Sequence, residues 1–435
     1  MAKKKVKPES KKKEYLQFIH TADLHLGSPF RGISRMDEDI ASLLSHASYG
    51  AYDHIVETAI ENEVDFVLIS GDIYDSQNQR IIEQLKFHKG LERLNNAGIP
   101  VYIICGNHDP SAAWSKEINW PESVHFLSSD EPEIKYFEKD GEQLATIVGM
   151  SYRTAAITEN LAIDYPERKG EWPFTIGLLH CTLGTNTGHE PYSPCSISDL
   201  VKKGYDYWAL GHIHKPSVIQ GSSPAIVYSG IPQGRDIGEA GSRGCYLVTV
   251  DSDSNIQTNF VETANVLWKE VEIPIDNIDS INELRQEIEN YLEKIRADNN
   301  NAATICRITL TGRGEVHREL VKEKAKEDLL KYFLEQETIL ENSVLIERFI
   351  DTTSLPIDRD AIMQREDLIA DILSISDQMQ QSGEFDENLI EDINTLFDHS
   401  RVSGKIKEIG NEELRELIKE AETYLLDNLI MEDLS

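Results

Sequence analysis

Residues 205–216 read YDYWALGHIHKP. An apolar run ends in a glycine, and His212 and His214 follow on either side of Ile213. Apolar runs of four to six residues fit strands buried on both faces of an α/β core. If strand-like alternation continues past Gly211, both imidazoles fall on one side while Ile213 packs away. Two histidines hydrogen-bonded at a strand end would leave the same trace, so the pair is weak evidence alone and gains weight from its company. From Tyr15 to about Val261, the runs YLQFIHTA, VDFVLISG, IPVYIICG, ATIVGM, FTIGLLHC, AIVYSG and GCYLVTVD alternate with helical patterns over 36–62 and 80–97, which predicts a layered α/β core. Four more strand ends carry polar clusters: Asp23 and His25 in HTADLHLG, Asp72 in LISGDIYD, Asn107, His108 and Asp109 in ICGNHD, and His180 in LLHC. Open α/β sheets bind ligands at the carboxyl ends of their strands, so five such ends bring these groups to one rim.

Imidazole mixed with carboxylate and amide oxygen suits divalent manganese, iron or zinc, and a set without thiolate disfavours copper(I) and iron–sulfur clusters. The set is too large for one ion. A central carboxylate can bridge two metals about 3.5–4 Å apart, an arrangement that activates water and stabilises both oxygens of an in-line displacement at phosphorus. Phosphate ester hydrolysis is the natural reaction.

Composition sets outer bounds. The 435 residues, 40% of them hydrophobic, suffice for two or three globular domains. The N-terminal stretch has no apolar signal core, and no run approaches the roughly 20 apolar residues that span a bilayer, which points to a cytoplasmic chain with no membrane partner. Five cysteines without CxxC spacing suggest reduced thiols rather than a disulfide framework. A net charge of −33 excludes a chain that coats nucleic acid electrostatically, so any contact with it must be local. Residues 1–14, with seven lysines, read as a disordered tail. Residues 15–265 form the first domain, 266–355 a small α+β module with helical runs at 280–297 and 316–336, and 356–435 an acidic helical region. In that last region Leu368, Ile369, Ile372, Leu373, Ile375 and Met379, and then Leu414, Leu417, Ile418, Ala421, Tyr424, Leu425 and Leu429, repeat at helical spacing.

The motif order D-x-H, G-D, G-N-H-D, H and G-H-x-H resembles the calcineurin-like metallophosphoesterases, and within them the SbcD-type DNA repair exonucleases. The protein phosphatase branch has an arginine just after G-D and reads G-N-H-E, whereas this chain has GDIYDS and GNHD. The stretches HEPYSPCSISDL, YDYWALGHIHKP and YSGIPQGRDIGEAGSRGCYLVTVD are similar to the YhaO-like bacterial group.

The resemblance implies an α/β/β/α metallophosphoesterase core with the α+β module as a cap. It implies two divalent ions, manganese foremost, one on Asp23, His25, Asp72 and His214 and the other on Asp72, Asn107, His180 and His212. His108 is then the catalytic imidazole facing the scissile phosphate, and Asp109 orients His108 or a ligand. Archaeal and eukaryotic relatives have a histidine where this chain has Asp75. Arg235 and His189 are candidates for contact with DNA phosphate, and equally polar-loop residues in solvent. The resemblance further implies a homodimer through the helices at 36–62 and 80–97, and C-terminal helices that dock on a coiled-coil ATPase of the SbcC type. The expected function is DNA exonuclease, with some endonuclease activity, in repair or defence. The alternatives are a phosphodiesterase for a small nucleotide or cyclic dinucleotide, and a non-catalytic scaffold for the ATPase partner.

Overall fold

A computed structural model describes residues 14–28, 38–75, 81–111, 114, 118–184, 192–222, 224–299, 302–337, 342–381 and 411–433. His189 and the lysine-rich residues 1–13 lie outside them. The chain divides into two compact units, one of Met1–Glu270, Lys294–Arg307 and Leu334–Glu347 and the other of Val271–Glu293, Ile308–Phe333 and Arg348–Ser435.

The first unit is built on two six-stranded sheets. Its elements are β1 (Glu14–Thr21), α1 (Glu38–Glu61), β2 (Phe66–Ser70), α2 (Ile81–Asn96), β3 (Val101–Ile104), β4 (Val124–Phe126), β5 (Glu133–Lys139), β6 (Glu142–Gly149), β7 (Phe174–His180), α3 (Ile197–Lys202), β8 (Tyr207–Gly211), β9 (Ser217–Gly221), β10 (Ala225–Tyr228), β11 (Gly244–Asp251) and β12 (Ile256–Glu262). One sheet has the order β12-β11-β1-β2-β3-β4 and the other β5-β6-β7-β8-β10-β9. Strands β1 to β4 run parallel, as do β6, β7, β8 and β10.

The alternation of side chains across each strand makes the layers. Phe18, Phe66, Leu68 and Tyr102 from one sheet meet Ile147, Ile176, Leu178, Tyr207 and Ala209 from the other in a central core. Their strand neighbours point outward: Ile19, Val67, Ile69 and Ile103 pack under Ile55 and Val56 of α1 and Phe87 and Leu91 of α2. On the opposite face, Leu179, Trp208 and Leu210 pack with Leu161, Tyr165 and Leu200. The order helix, sheet, sheet, helix is thus the expected α/β/β/α. Its second helical layer is thin, made of the short α3 and a 3-10 turn at Leu161–Ile163. The sequence runs missed β4, β5, β9 and β12. Strand β5, EIKYFEK, buries a single residue fully, so no continuous apolar run marks it.

Strands β13 (Val266–Pro274), β14 (Ala303–Thr311) and β15 (Val344–Asp351) form a three-stranded sheet in that order. In the first unit, Val266, Trp268, Ala303, Ile305 and Leu345 pack with Leu44 and Ala47 of α1. Helix α4 (Ile281–Asp298) matches the expected helical run. The run at 316–336 is broken into α5 (His317–Leu320) and α6 (Ala325–Gln336) around Lys324, whose φ is 69°. In the second unit, α7 (Arg359–Met363) precedes α8 (Leu368–Gln381) and α9 (Asn411–Asp433), which bury Leu373 and Leu426 together. Arg359 pairs with Asp377 of α8 (2.5 Å) and with Glu422 of α9. All five cysteines are free and buried. Among the described residues, no helix is long and apolar enough to cross a membrane.

His20 lies fully buried between the sheets, its Nδ1 3.0 Å from the Tyr207 hydroxyl. Burial pushes its pKa down to about 3 from an ordinary 6.5, against a smaller upward pull from the Leu210 carbonyl. The neutral ring is therefore what the fold accepts, and below pH 6.5 the unfolded chain takes up a proton that the folded chain refuses. Stability contributed here is complete above that pH and declines as pH falls, by about 2 kcal/mol at pH 5. Urea midpoints of the wild type at pH 7 and pH 5 should show this step, and His20→Asn should lack it. Equal pH dependence in the two proteins would show that His20 is not its source.

Candidate active site

The polar clusters sit where the parallel strands end, and the backbone there is bent out of the strand conformation. Asp23, His25, Asp72 and His212 have φ of 53°, 41°, 52° and 94°. Four left-handed residues other than glycine, each costing of order 1–3 kcal/mol, cluster where a site has been built against local preference. The glycines heading two motifs permit close approach. A Cβ at Gly106 would stand 2.2 Å from Asp72 Oδ1, and one at Gly211 would stand 2.0 Å from the Ser70 carbonyl oxygen. The chain thereby brings β2, β3, β7 and β8 ends together at van der Waals distance.

The hydrogen bonds assign the imidazole nitrogens. His180 Nδ1 lies 2.9 Å from the Ser70 carbonyl, which only accepts, so Nδ1 carries the proton. Its Nε2 then faces two more acceptors, Asn107 Oδ1 at 3.0 Å and Asp72 Oδ2 at 3.4 Å. His25 Nδ1 faces Asp75 Oδ1 at 3.1 Å, and His214 Nδ1 faces Glu239 Oε1 at 2.6 Å. With both Nδ1 atoms turned toward carboxylates, and that of His214 also 3.3 Å from Arg235 Nη2, the Nε2 atoms of His25 and His214 face each other at 3.2 Å. Acceptors converging at such distances repel one another unless a proton or a metal cation lies among them. The donor atoms of Asp23, His25 and His214 fall within 4.8 Å of one another, as do those of Asp23, Asp72 and His180. The residues present therefore fit divalent metal, with Asp23 reaching both groups.

The charges agree. Burial lowers the His180 pKa, but Asp72, Asp23 and the Ser70 carbonyl outweigh it and push the group up to about 9. That nitrogen requires positive charge, which a proton supplies in metal-free protein. Burial raises the Asp72 pKa, yet His180, His25 and His108 hold it far below the carboxylate range. Asp23 is pushed up to about 6, chiefly by burial.

The remaining predicted residues surround these donors. The His212 ring lies edge-on to His180 and to Tyr192, at centroid distances of 5.2 and 5.4 Å, and its backbone N–H donates to both Asp23 carboxylate oxygens at 3.0 and 3.1 Å. His108 donates its backbone N–H to Asp72 Oδ1 (2.9 Å), and its Nδ1 lies 3.0 Å from the Asp75 carbonyl. Asp109 is fully buried, and its carboxylate accepts the N–H groups of Gly106 (2.8 Å) and Ile73 (2.9 Å). It ties the turn after β3 to the turn after β2, and burial beside Asp72 pushes its pKa up to about 8.

A third cluster joins His25, Asp75 and His108. There the Asp75 carboxylate is already held by His25 and by Arg235 Nη1 (2.9 Å), which together overcome burial and keep its pKa down to about 2. Asp75 is thus an orienting group. Arg235, 13% exposed, gives its guanidinium to Asp75 and Glu239. Sequence reasoning missed Glu239. Its only trace is the acidic residue four positions after Arg235 in GRDIGEAG, which nothing local connects to His214.

The paired sheets and this donor set define a metallophosphoesterase. Residues 16–216 match the calcineurin-like phosphoesterase family, and the chain belongs to it. Residues 268–354 match the middle domain of metallophosphoesterase YhaO. The uncharacterized metallophosphoesterase YhaO of Bacillus subtilis (strain 168) is 42% identical over 298 residues, covering 68% of this chain and 72% of that protein. DNA double-strand break repair protein Mre11 of Sulfurisphaera tokodaii is 27% identical over 71% of this chain and 76% of that one. A component of the SbcCD nuclease of Bacillus subtilis is 24% identical over 52% of this chain and 64% of its own length.

Proposed function

We propose that the chain is a two-metal phosphodiesterase that cuts DNA, working in the cytoplasm as the nuclease subunit of a complex with a coiled-coil ATPase. The convergence of His25, His180 and His214 Nε2 with the oxygens of Asp23, Asp72 and Asn107 carries the metal chemistry. The DNA substrate rests on similarity to a DNA double-strand break repair protein and a nuclease component. In this reading His25 and His214 would hold one ion with Asp23 and Asp72, and Asn107, His180 and His212 would hold the other with Asp72. When bound, two divalent ions, manganese foremost, polarise the phosphoryl oxygens and lower the pKa of water.

The chain's own groups position the substrate and move the proton. His108 Nδ1 is committed to the Asp75 carbonyl, which leaves Nε2 to meet the scissile phosphate and protonate the departing alkoxide. Asp109 keeps the turns that carry Asp72, Asn107 and His108 in register. Ile81, Ile82 and Leu85 of α2, all more than half exposed, support a homodimer through this helix. Leu368 of α8 and Tyr424 of α9, 63% and 71% exposed, support partner binding by the C-terminal helices.

The test is cleavage of end-labelled single- and double-stranded DNA in manganese, with and without excess cyclic dinucleotide. The expected outcome is cleavage of DNA that EDTA abolishes and the competitor leaves unchanged. Full cleavage in saturating EDTA overturns the metal-dependent reading. Turnover of the cyclic dinucleotide with intact DNA moves the substrate to small diesters.

A further inference from the structure

We infer that Glu239 is a positioning residue which, clamped with Asp75 by Arg235, makes the His25–His214 position the tighter of the two metal sites. The inference rests on the two-ion reading above and says how the two positions differ.

The difference lies behind the imidazoles. His25 and His214 each turn Nδ1 toward a carboxylate, Asp75 Oδ1 at 3.1 Å and Glu239 Oε1 at 2.6 Å. His180 turns its Nδ1 toward a neutral carbonyl, that of Ser70. A carboxylate draws the Nδ1 proton more strongly than an amide carbonyl does, which makes the opposite nitrogen a better donor to metal. It also adds negative charge close to the ion, where a partly buried setting screens it weakly.

Arg235 holds the two carboxylates in this role. Its Nη1 lies 2.9 Å from Asp75 Oδ1 and its Nη2 3.0 Å from Glu239 Oε1, while its backbone N–H donates to Glu239 Oε2 at 2.8 Å. The same guanidinium lies 3.3 Å, through Nη2, from His214 Nδ1, so it borders the imidazole as well as both carboxylates. The clamp is anchored in turn by Arg243, only 7% exposed, which donates to the carbonyls of Glu239 (2.8 Å), Ala240 (2.8 Å) and His214 (3.3 Å). The nearest partner of Nδ1 is thus a carboxylate at both His25 and His214, whereas the partner of His180 Nδ1 is a neutral carbonyl.

The test is calorimetric titration of the metal-stripped full chain with manganese, with Asn107→Ala marking the site on the His180 side. The wild type should take up two ions in two affinity classes, and Asn107→Ala should weaken the looser class. Glu239→Gln keeps the shape and removes the charge. It should weaken the tighter class about 10- to 100-fold and leave the other unchanged. Asp75→Asn, in a different segment, should weaken the same class, which keeps the test alive if either variant fails to fold. Glu239→Gln and Asp75→Asn proteins that bind both ions as the wild type does, or that weaken both classes equally, overturn the inference and leave the two-ion reading standing. A wild-type chain that binds fewer than two ions overturns that reading and this inference with it.

Discussion

Replacing Asp72 by Asn should strip metal from the site and lower diester hydrolysis by at least about four orders of magnitude, equivalent to roughly 5–6 kcal/mol of lost transition-state stabilisation. Asp72 lies among His25, His180 and His108. One carboxylate oxygen is 3.4 Å from His180 Nε2 and 3.9 Å from His25 Nε2, and the other accepts the His108 backbone N–H at 2.9 Å. An amide in the same place offers one neutral acceptor and one donor where two charged acceptors stood. The site loses a negative charge that bound metal would need, and the turn bearing His108 loses a charge-assisted bond. Metal content by mass spectrometry and hydrolysis of bis(p-nitrophenyl) phosphate in manganese measure the two effects together. Two ions per chain with a rate within tenfold of the wild type would remove Asp72 from its central position.

His108→Ala should separate what Asp72→Asn removes together: both ions stay, and DNA cleavage falls about 10²- to 10⁴-fold. The residue is tied to the site through its backbone N–H, which alanine keeps, while the deleted ring contacts the Asp75 carbonyl and lies edge-on to His25 at 5.0 Å. A role as proton donor makes a further demand. Departing p-nitrophenolate needs little protonation and a DNA alkoxide needs much, so the variant should lose far less on the p-nitrophenyl diester than on DNA. Equal losses on both substrates would assign His108 to charge stabilisation. Loss of an ion from the variant would make the ring a ligand, in line with the His25, Asp75 and His108 cluster.

The layered core was legible because central strands buried on both faces must be apolar throughout, as FVLIS in β2 and YWALG in β8 are. Edge strands such as β5 and β12 bury half their residues or fewer, and their mixed patterns left no such mark. The break at Lys324 was equally hidden, since the residues around it continue the helical spacing expected over 316–336. For the site, each donor motif follows directly on an apolar run, so local order was enough to mark Asp23, His25, Asp72, Asn107, His180, His212 and His214 as candidates.

Strand burial and motif order are local properties of the chain, and they suffice to say which donors stand at the strand ends. Which way the rings of His25, His180 and His214 turn was decided by contacts between distant segments. A tautomer is set by the acceptor opposite, and those acceptors come from elsewhere: a backbone carbonyl at Ser70 that no residue type announces, and a carboxylate at Glu239 whose use depends on a turn pinned by Arg243. His25 and His214 are 189 residues apart, and Arg235 and Asp75 160. Contacts over such separations arise when two sheets close face to face, and the pattern of residues along one strand carries no record of its neighbour in the other.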